Sequence, residues 1–337
     1  MRFVFLLAFL LGSFPAFASG IKSDEEVIFF PTAAHRAGES WVVPVHAWVF
    51  EPETGSLLRN GALSAMAHEL ELDDAATSAL FRERARWFLV DNERGKHFKL
   101  NFSDKEIGDT AANGHVKQDY TVQAPADSGV LAYSTTAADG RSFGGESYLL
   151  DPAGVSVISD IDDTIKISEV LDKKKLMENT FLKPYAAVPG MADAYKRLAA
   201  EKIAFHYLSS SPWQLYPALS AFMKEAGYPP GSFHMRDFRM KDETVFNVMK
   251  SSLETKPPGI RKLLDDYPQR KFILIGDSGE KDPEIYGMIA REYPGRVKSI
   301  YIRKVTPEEA WDARYNAAFD GIDAPFVLFE DAGMINP

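Results

Sequence analysis

Val155-Ser156-Val157-Ile158-Ser159 is a short β-branched run that passes directly into Asp160-Ile161-Asp162-Asp163-Thr164. Acidic residues form strands poorly, and three carboxylates within four positions repel one another, so local stability does not account for them. In extended backbone residues two apart share a side, which puts Asp160 and Asp162 together beyond the strand end. A divalent cation would offset the repulsion; a solvated acidic turn is the plain alternative. A calcium loop of the EF-hand kind is excluded, because the sixth position counted from Asp160 is Ile165 rather than glycine.

Downstream of this run the pattern repeats. Apolar runs over 155–159, 203–208, 272–275, 297–302 and 326–329 alternate with amphipathic stretches over 191–200, 215–225, 259–266 and 283–292. That alternation predicts βαβ units on a parallel sheet, whose ligands bind beyond the carboxyl ends of the strands. The residues at those ends are polar. The third strand ends in Gly276-Asp277-Ser278-Gly279-Glu280-Lys281-Asp282, where Asp277, with Asp282 or Glu280, adds hard oxygen ligands to the first cluster. Joined to Asp160, they make an oxygen-only site suited to Mg²⁺ rather than zinc. Strand two ends in Ser209-Ser210-Ser211-Pro212 before a helix, an arrangement that holds an anion such as phosphate, or simply caps the helix. Lys256 precedes the helix that leads into strand three, from where its ammonium could reach a bound phosphoryl group.

The upstream half reads differently. In residues 41–50, Val43, Val45, Ala47 and Val49 alternate onto one face, and Pro44 suggests an edge strand. Residues 87–90 and 97–100 read as a hairpin, Asp139-Gly140 as another turn, and 74–86 as one inserted helix. A β-sandwich-like domain over 19–150 is therefore expected ahead of an α/β domain over 151–337. Residues 1–18, with Arg2, the apolar run from Phe3 and Ala16-Phe17-Ala18, have the zones of a secretory signal, so an exported, periplasmic or secreted protein is expected. The 337 residues include no cysteine, which removes disulfides, thiolate nucleophiles and Cys-type metal sites. The 38 basic against 48 acidic residues, a formal charge of −10, argue against nucleic acid as a partner.

The strings 156–166, 205–215 and 276–286 together resemble the catalytic domain of the actin-patch-protein type of phosphatidate phosphatase, within the haloacid-dehalogenase superfamily. The resemblance extends upstream through residues 88–96. It implies a Rossmann-like sheet and a Mg²⁺-dependent hydrolysis of phosphatidate to diacylglycerol and phosphate. By the same resemblance Asp160 is the nucleophile that becomes an aspartyl phosphate, and Asp162 the acid that protonates the leaving oxygen and later draws a proton from water. Mg²⁺ would be held by Asp160, the Asp162 carbonyl and Asp277, with Asp282 as a ligand or just outside. Thr164 would steady the loop, and Lys256 and a serine hydroxyl would bind phosphate. Ser209 comes first after the apolar run, with Ser211 as its alternative and Ser210 between them. Asp160 on the cation is expected to stay ionised, and Asp162, beside the phosphate's charge, to hold a proton.

Two other readings stand beside this one: an exported phosphatase for soluble phosphomonoesters, and a lipid- or protein-binding module with a vestigial catalytic half. The export leader and the lack of a long disordered tail make a cytoskeletal partner implausible. The interval after Thr164 is short for a cap domain, so an open site is expected. Lys166 and Lys173-Lys174-Lys175 lie in that interval, either as a peripheral contact for an anionic membrane surface or as a solvated helix face.

Overall fold

The computed structural model describes residues 20–52, 57–123, 129–238 and 252–336; the segment read as a leader lies outside them. The downstream half begins with β10 (Ala153–Asp160) and continues through α3 (Lys173–Phe181), α4 (Met191–Ala200), β11 (Ala204–Pro212), α5 (Tyr216–Ala226) and β12 (Ser232–Arg236). It is completed by α6 (Ser252–Asp266), β13 (Gln269–Asp277), α7 (Asp282–Glu292), β14 (Val297–Arg303), α8 (Ala313–Phe319) and β15 (Phe326–Phe329). The strands pair in the order β12-β11-β10-β13-β14-β15, every pair parallel.

This is a doubly wound sheet. Neighbouring residues of one strand serve opposite cores: Val157, Phe205, Tyr207 and Ile273 pack with Met191, Tyr195 and Leu198 of α4, whereas Ile158, Phe272, Leu274 and Ile300 pack with α6, α7 and Tyr315 of α8. Burial on both faces is why the strands read as continuous apolar runs rather than alternating ones. The strand order reverses between β10 and β13. A crevice opens at such a switch point, beyond the carboxyl ends, and there Asp160 ends β10 and Asp277 ends β13.

The upstream half comprises β1 (Glu26–Phe30), β2 (Thr32–Ala37), β3 (Ser40–Glu51), α1 (Leu57–Glu69), α2 (Ala79–Ala85), β4 (Asp91–Asn92) and β5 (Phe98–Leu100), then β6 (Ser103–Ile107), β7 (His115–Val122), β8 (Gly129–Thr136) and β9 (Ser142–Leu149). Thr32–Ala34 of β2 pair with β9 and His35–Ala37 with β3, so the sheet folds at β2 around a core of Phe29, Trp41, Val43, Val45, Ala47, Val49, Tyr120 and Tyr133. The expected alternation of β3 is present, but β3 is a central strand. Pro44 is accommodated because the neighbour on that side changes from β2, last paired at Val42, to β1, first paired at His46.

Two upstream expectations are corrected. Trp87 and Phe88 belong to a 3-10 turn rather than a strand, and the hairpin is β5–β6. The inserted helix is broken at Ser78, whose hydroxyl caps α2, and α1 precedes it. The short helices face the downstream half: Phe81, Ala85 and Phe88 share a core with Phe181 of α3, and Phe30, Trp48 and Phe50 reach the same core.

At that junction His46 Nε2 and His115 Nδ1 lie 2.9 Å apart, both buried. Phe30 stacks on His115, and Trp213 of the downstream half packs against Phe30 with ring centroids 4.2 Å apart. Burial holds His46 well below its ordinary value and lowers His115 to about 4. A depressed imidazole pKa favours the folded state above the unfolded value and loses that contribution as pH falls toward the folded one. Urea unfolding should therefore show stability falling between pH 6.5 and 4 by about 1.4 kcal/mol per unit for each imidazole. His115→Phe should make the fall shallower, and an unchanged slope would count against this assignment.

Candidate active site

β10 delivers Asp160 to the crevice with 1% of its surface exposed, and the chain then turns tightly. Asp163 takes a left-handed conformation (φ 53°), which aspartate tolerates better than bulkier residues do. Its carboxylate accepts the backbone N–H groups of Ser168, Glu169 and Val170 at 2.8, 3.0 and 2.7 Å, and its carbonyl accepts from Arg303 at 2.7 Å. Thr164 Oγ1 donates to Asp160 Oδ2 at 3.0 Å.

On β13, a side chain at Gly276 would put its Cβ 2.7 Å from that of Asp282, so the absence of one lets α7 begin against the strand. Asp282 Oδ2 accepts the Asp277 N–H at 3.1 Å, and Asp277 Oδ1 accepts from Gly279 and Glu280. One ligand atom each from Asp160, Asp277 and Asp282 lies within 4.8 Å of the others. Lys256, buried in α6, reaches into the same group, with Nζ 2.8 Å from Asp160, 2.5 Å from Asp282 and 2.9 Å from Glu280. Lys256 therefore lies within the helix rather than ahead of it, and in these contacts its ammonium is engaged by carboxylates.

Four carboxylates thus face one ammonium. Burial, with Asp282 and Glu280 close by, pushes Asp277 well above the carboxylate range. Burial does the same to Asp160, against the pull of Lys256. Burial opposes a charge on Lys256, but Asp160, Asp282 and Glu280 outweigh it and hold its pKa well above the ordinary lysine value. Asp277 Oδ2 is buried without a hydrogen-bond partner among the described residues. An oxygen-only donor set with surplus negative charge and an unpartnered carboxylate oxygen fits a hard divalent cation.

Asp162 is held separately. Its Oδ2 accepts from Ser209 and Ser211, each at 3.2 Å, so both serines expected as phosphate contacts stand beside it; Ser210 turns instead to Thr255, 2.7 Å away. Its Oδ1 lies 2.8 Å from Lys166 Nζ and accepts from Ser168 at 2.7 Å. Lys166 is therefore not a surface lysine: it is 2% exposed, with Nζ bonded to Ser168 and 4.9 Å from the ring centroid of Tyr185. Burial alone would raise Asp162, but Lys166 and the hydroxyls of Ser168 and Ser211 outweigh it and hold the carboxyl at about 2. These side chains by themselves keep Asp162 ionised and burden Asp160; the expected division rests on a cation at Asp160 and a phosphate beside Asp162. Lys173, Lys174 and Lys175 are exposed on α3 as expected.

Residues 155–304 match the family described as phosphatidate phosphatase APP1, catalytic domain. Phosphatidate phosphatase APP1 of Saccharomyces cerevisiae is 35% identical over 158 residues, covering 46% of this chain and 26% of that protein. An uncharacterized protein of Schizosaccharomyces pombe is 33% identical over 169 residues, covering 49% of this chain and 27% of that one. The chain spans about a quarter of the length of these curated relatives. Among solved structures, a putative beta-phosphoglucomutase from Thermotoga maritima aligns at 11% identity over 53% of this chain and 95% of its own, with a TM-score of 0.31. The matched stretch, residues 155–304, contains the whole constellation of acidic, serine and lysine side chains described above and is similar to the phosphatidate phosphatase APP1 catalytic domain.

Proposed function

We propose that the protein is a Mg²⁺-dependent phosphatase that hydrolyses phosphatidate to diacylglycerol and phosphate through a covalent intermediate on Asp160. The observation that carries this reading is the convergence of Asp160, Asp277 and Asp282 at the switch point, with Asp162 and two serine hydroxyls beside them. Phosphoryl transfer asks of a protein mainly positioning and charge stabilisation. Asp160, Asp277 and Asp282 are the side chains that would hold Mg²⁺. The ion would favour the ionised forms of Asp160 and Asp277 and neutralise charge on the phosphoryl oxygens.

A carboxylate oxygen of Asp160 attacks phosphorus and the bond to the glyceryl oxygen breaks. That oxygen takes a proton from Asp162. A water then gives a proton back to Asp162 and attacks phosphorus, releasing phosphate and the Asp160 carboxylate. The nearby negative charge of the substrate raises the proton affinity of Asp162 from the low value set by Lys166. Thr164 keeps Asp160 oriented, and Ser209 and Ser211 donate to Asp162 Oδ2 while Ser168 holds Oδ1.

Phosphate release from phosphatidate in mixed micelles should require Mg²⁺ and stop with chelator. A panel of sugar and nucleotide phosphates should be turned over more slowly; equal or faster rates on those would overturn the lipid assignment. Vesicle binding with no metal-dependent phosphate release would favour the binding-module reading.

A further inference from the structure

We propose that the mouth of the catalytic crevice is itself a bilayer-docking surface, with Leu171, Leu253 and Trp311 entering the lipid interface around the site. This rests on the lipid-phosphate reading above. Among the described residues the exposed large apolar side chains are Val130, Leu171, Leu253, Trp311 and Met334. Single exposed apolar residues are ordinary. Here three of the five belong to segments at the carboxyl end of the catalytic sheet, with Trp311 72%, Leu171 62% and Leu253 44% exposed.

Those segments meet around the loop that follows β13. Leu171 follows Val170, whose N–H donates to the Asp163 carboxylate. Val170 and Val305 both pack over Gly279, 2.7 and 2.9 Å from where a Cβ would stand. Leu253 precedes Lys256 by less than one helical turn, and its neighbour Ser252 accepts the Lys281 N–H at 3.4 Å. Trp311 lies between β14 and α8. That stretch is tied to the same loop by Arg314, which donates to the carbonyls of Ser278 and Glu280, both at 2.6 Å, and by Ser278 Oγ, which accepts from the Val305 N–H at 2.8 Å.

Charged groups on this rim are largely tied to neighbours. Glu309 pairs with Lys304, Glu308 with Arg314, and Glu169 with Lys175, while Asp172 caps α3. Beyond Leu171 and Asp172, Lys174 stands exposed beside Lys173, which is also exposed and lies 3.5 Å from Glu71. A phosphatidate phosphate lies at headgroup depth, so loops that bring a buried Asp160 to it must enter that layer. Tryptophan and leucine suit that depth, and exposed lysines suit an anionic lipid surface. The occupant is therefore a phosphatidate-bearing bilayer.

The test uses the whole chain and phosphatidylcholine vesicles with and without phosphatidate. Trp41, Trp48 and Trp213 are buried and Trp87 is half-buried, so a blue shift and protection from iodide on vesicles would report chiefly Trp311, and Trp311→Phe should remove most of both. The combined Leu171→Ser, Leu253→Ser, Trp311→Ser variant should lose about tenfold or more in vesicle affinity. Its phosphate release from vesicle phosphatidate should fall in proportion, with no loss on a water-soluble short-chain phosphatidate. Three results would each overturn the proposal: no vesicle binding by the natural chain, equal binding by the variant, or an equal loss on the short-chain substrate by a variant whose circular dichroism is unchanged. Should the natural chain hydrolyse neither form of phosphatidate, the functional reading fails, and vesicle binding still judges the surface.

Discussion

Asp160→Asn should lower phosphate release by at least about 10⁴-fold, since an amide supplies neither the nucleophile nor the leaving carboxylate of the covalent route. The fold should survive. Burial and three neighbouring carboxylates raise the Asp160 pKa, so at neutral pH its ionised form opposes folding, and a neutral isostere relieves that opposition. Lys256 keeps Asp282 and Glu280 as partners in the variant. The melting temperature at pH 7 in chelator should therefore match or exceed that of the natural chain, and the rise on adding Mg²⁺ should shrink. A variant that turns over at the natural rate would remove Asp160 from the chemistry.

Lys256→Met should have the largest effect on stability. It leaves Asp160, Asp277, Asp282 and Glu280 facing one another with no ammonium among them, and breaking a buried ion cluster by deleting one sign of charge costs about 3–5 kcal/mol. The sign of the pH dependence follows from the carboxylates. The folded-state proton affinities of Asp160, Asp277 and Glu280 are already raised and would rise further, so the deficit should grow as pH rises from 5 to 8 and ease in acid. Mg²⁺ should recover part of it, because the ion supplies charge where the ammonium was. Urea unfolding at both pH values, with chelator and with Mg²⁺, measures each term; equal stability of variant and natural chain in chelator would show that the ammonium does not hold this cluster together.

Most strands and helices of the doubly wound half were legible because burial on both faces leaves a strong apolar signature; α3 and α8 were not among them. The expected stretch 191–200 is α4 (Met191–Ala200), and 326–329 is β15 (Phe326–Phe329). β12 escaped because His234 and Arg236 break its apolar run, which an edge strand permits. Upstream, Trp87-Phe88 looked like a strand because periodicity says little over so few residues. α1 carries Asn60 and Gly61 near its start and gives no clean period. In the site, the carboxylates were visible because acidic clusters at strand ends have no local reason to exist. Lys166 was not, since nothing in a sequence distinguishes a lysine that snorkels to water from one sealed against an aspartate and a tyrosine ring. Asp163 and Ser168 were hidden for a related reason, because their work is to fold the loop through backbone hydrogen bonds.

Phe30, Trp48 and Phe50 lie in one continuous apolar mass with Phe181, Met191 and Trp213. The upstream sheet is thus part of the wall that keeps the catalytic helices in place, and excising it would strip aromatic surface bare along α3 and the turn before α5. Any transplant of this catalytic unit onto a different partner sheet would have to bring matching rings with it, so the two halves are constrained to change together.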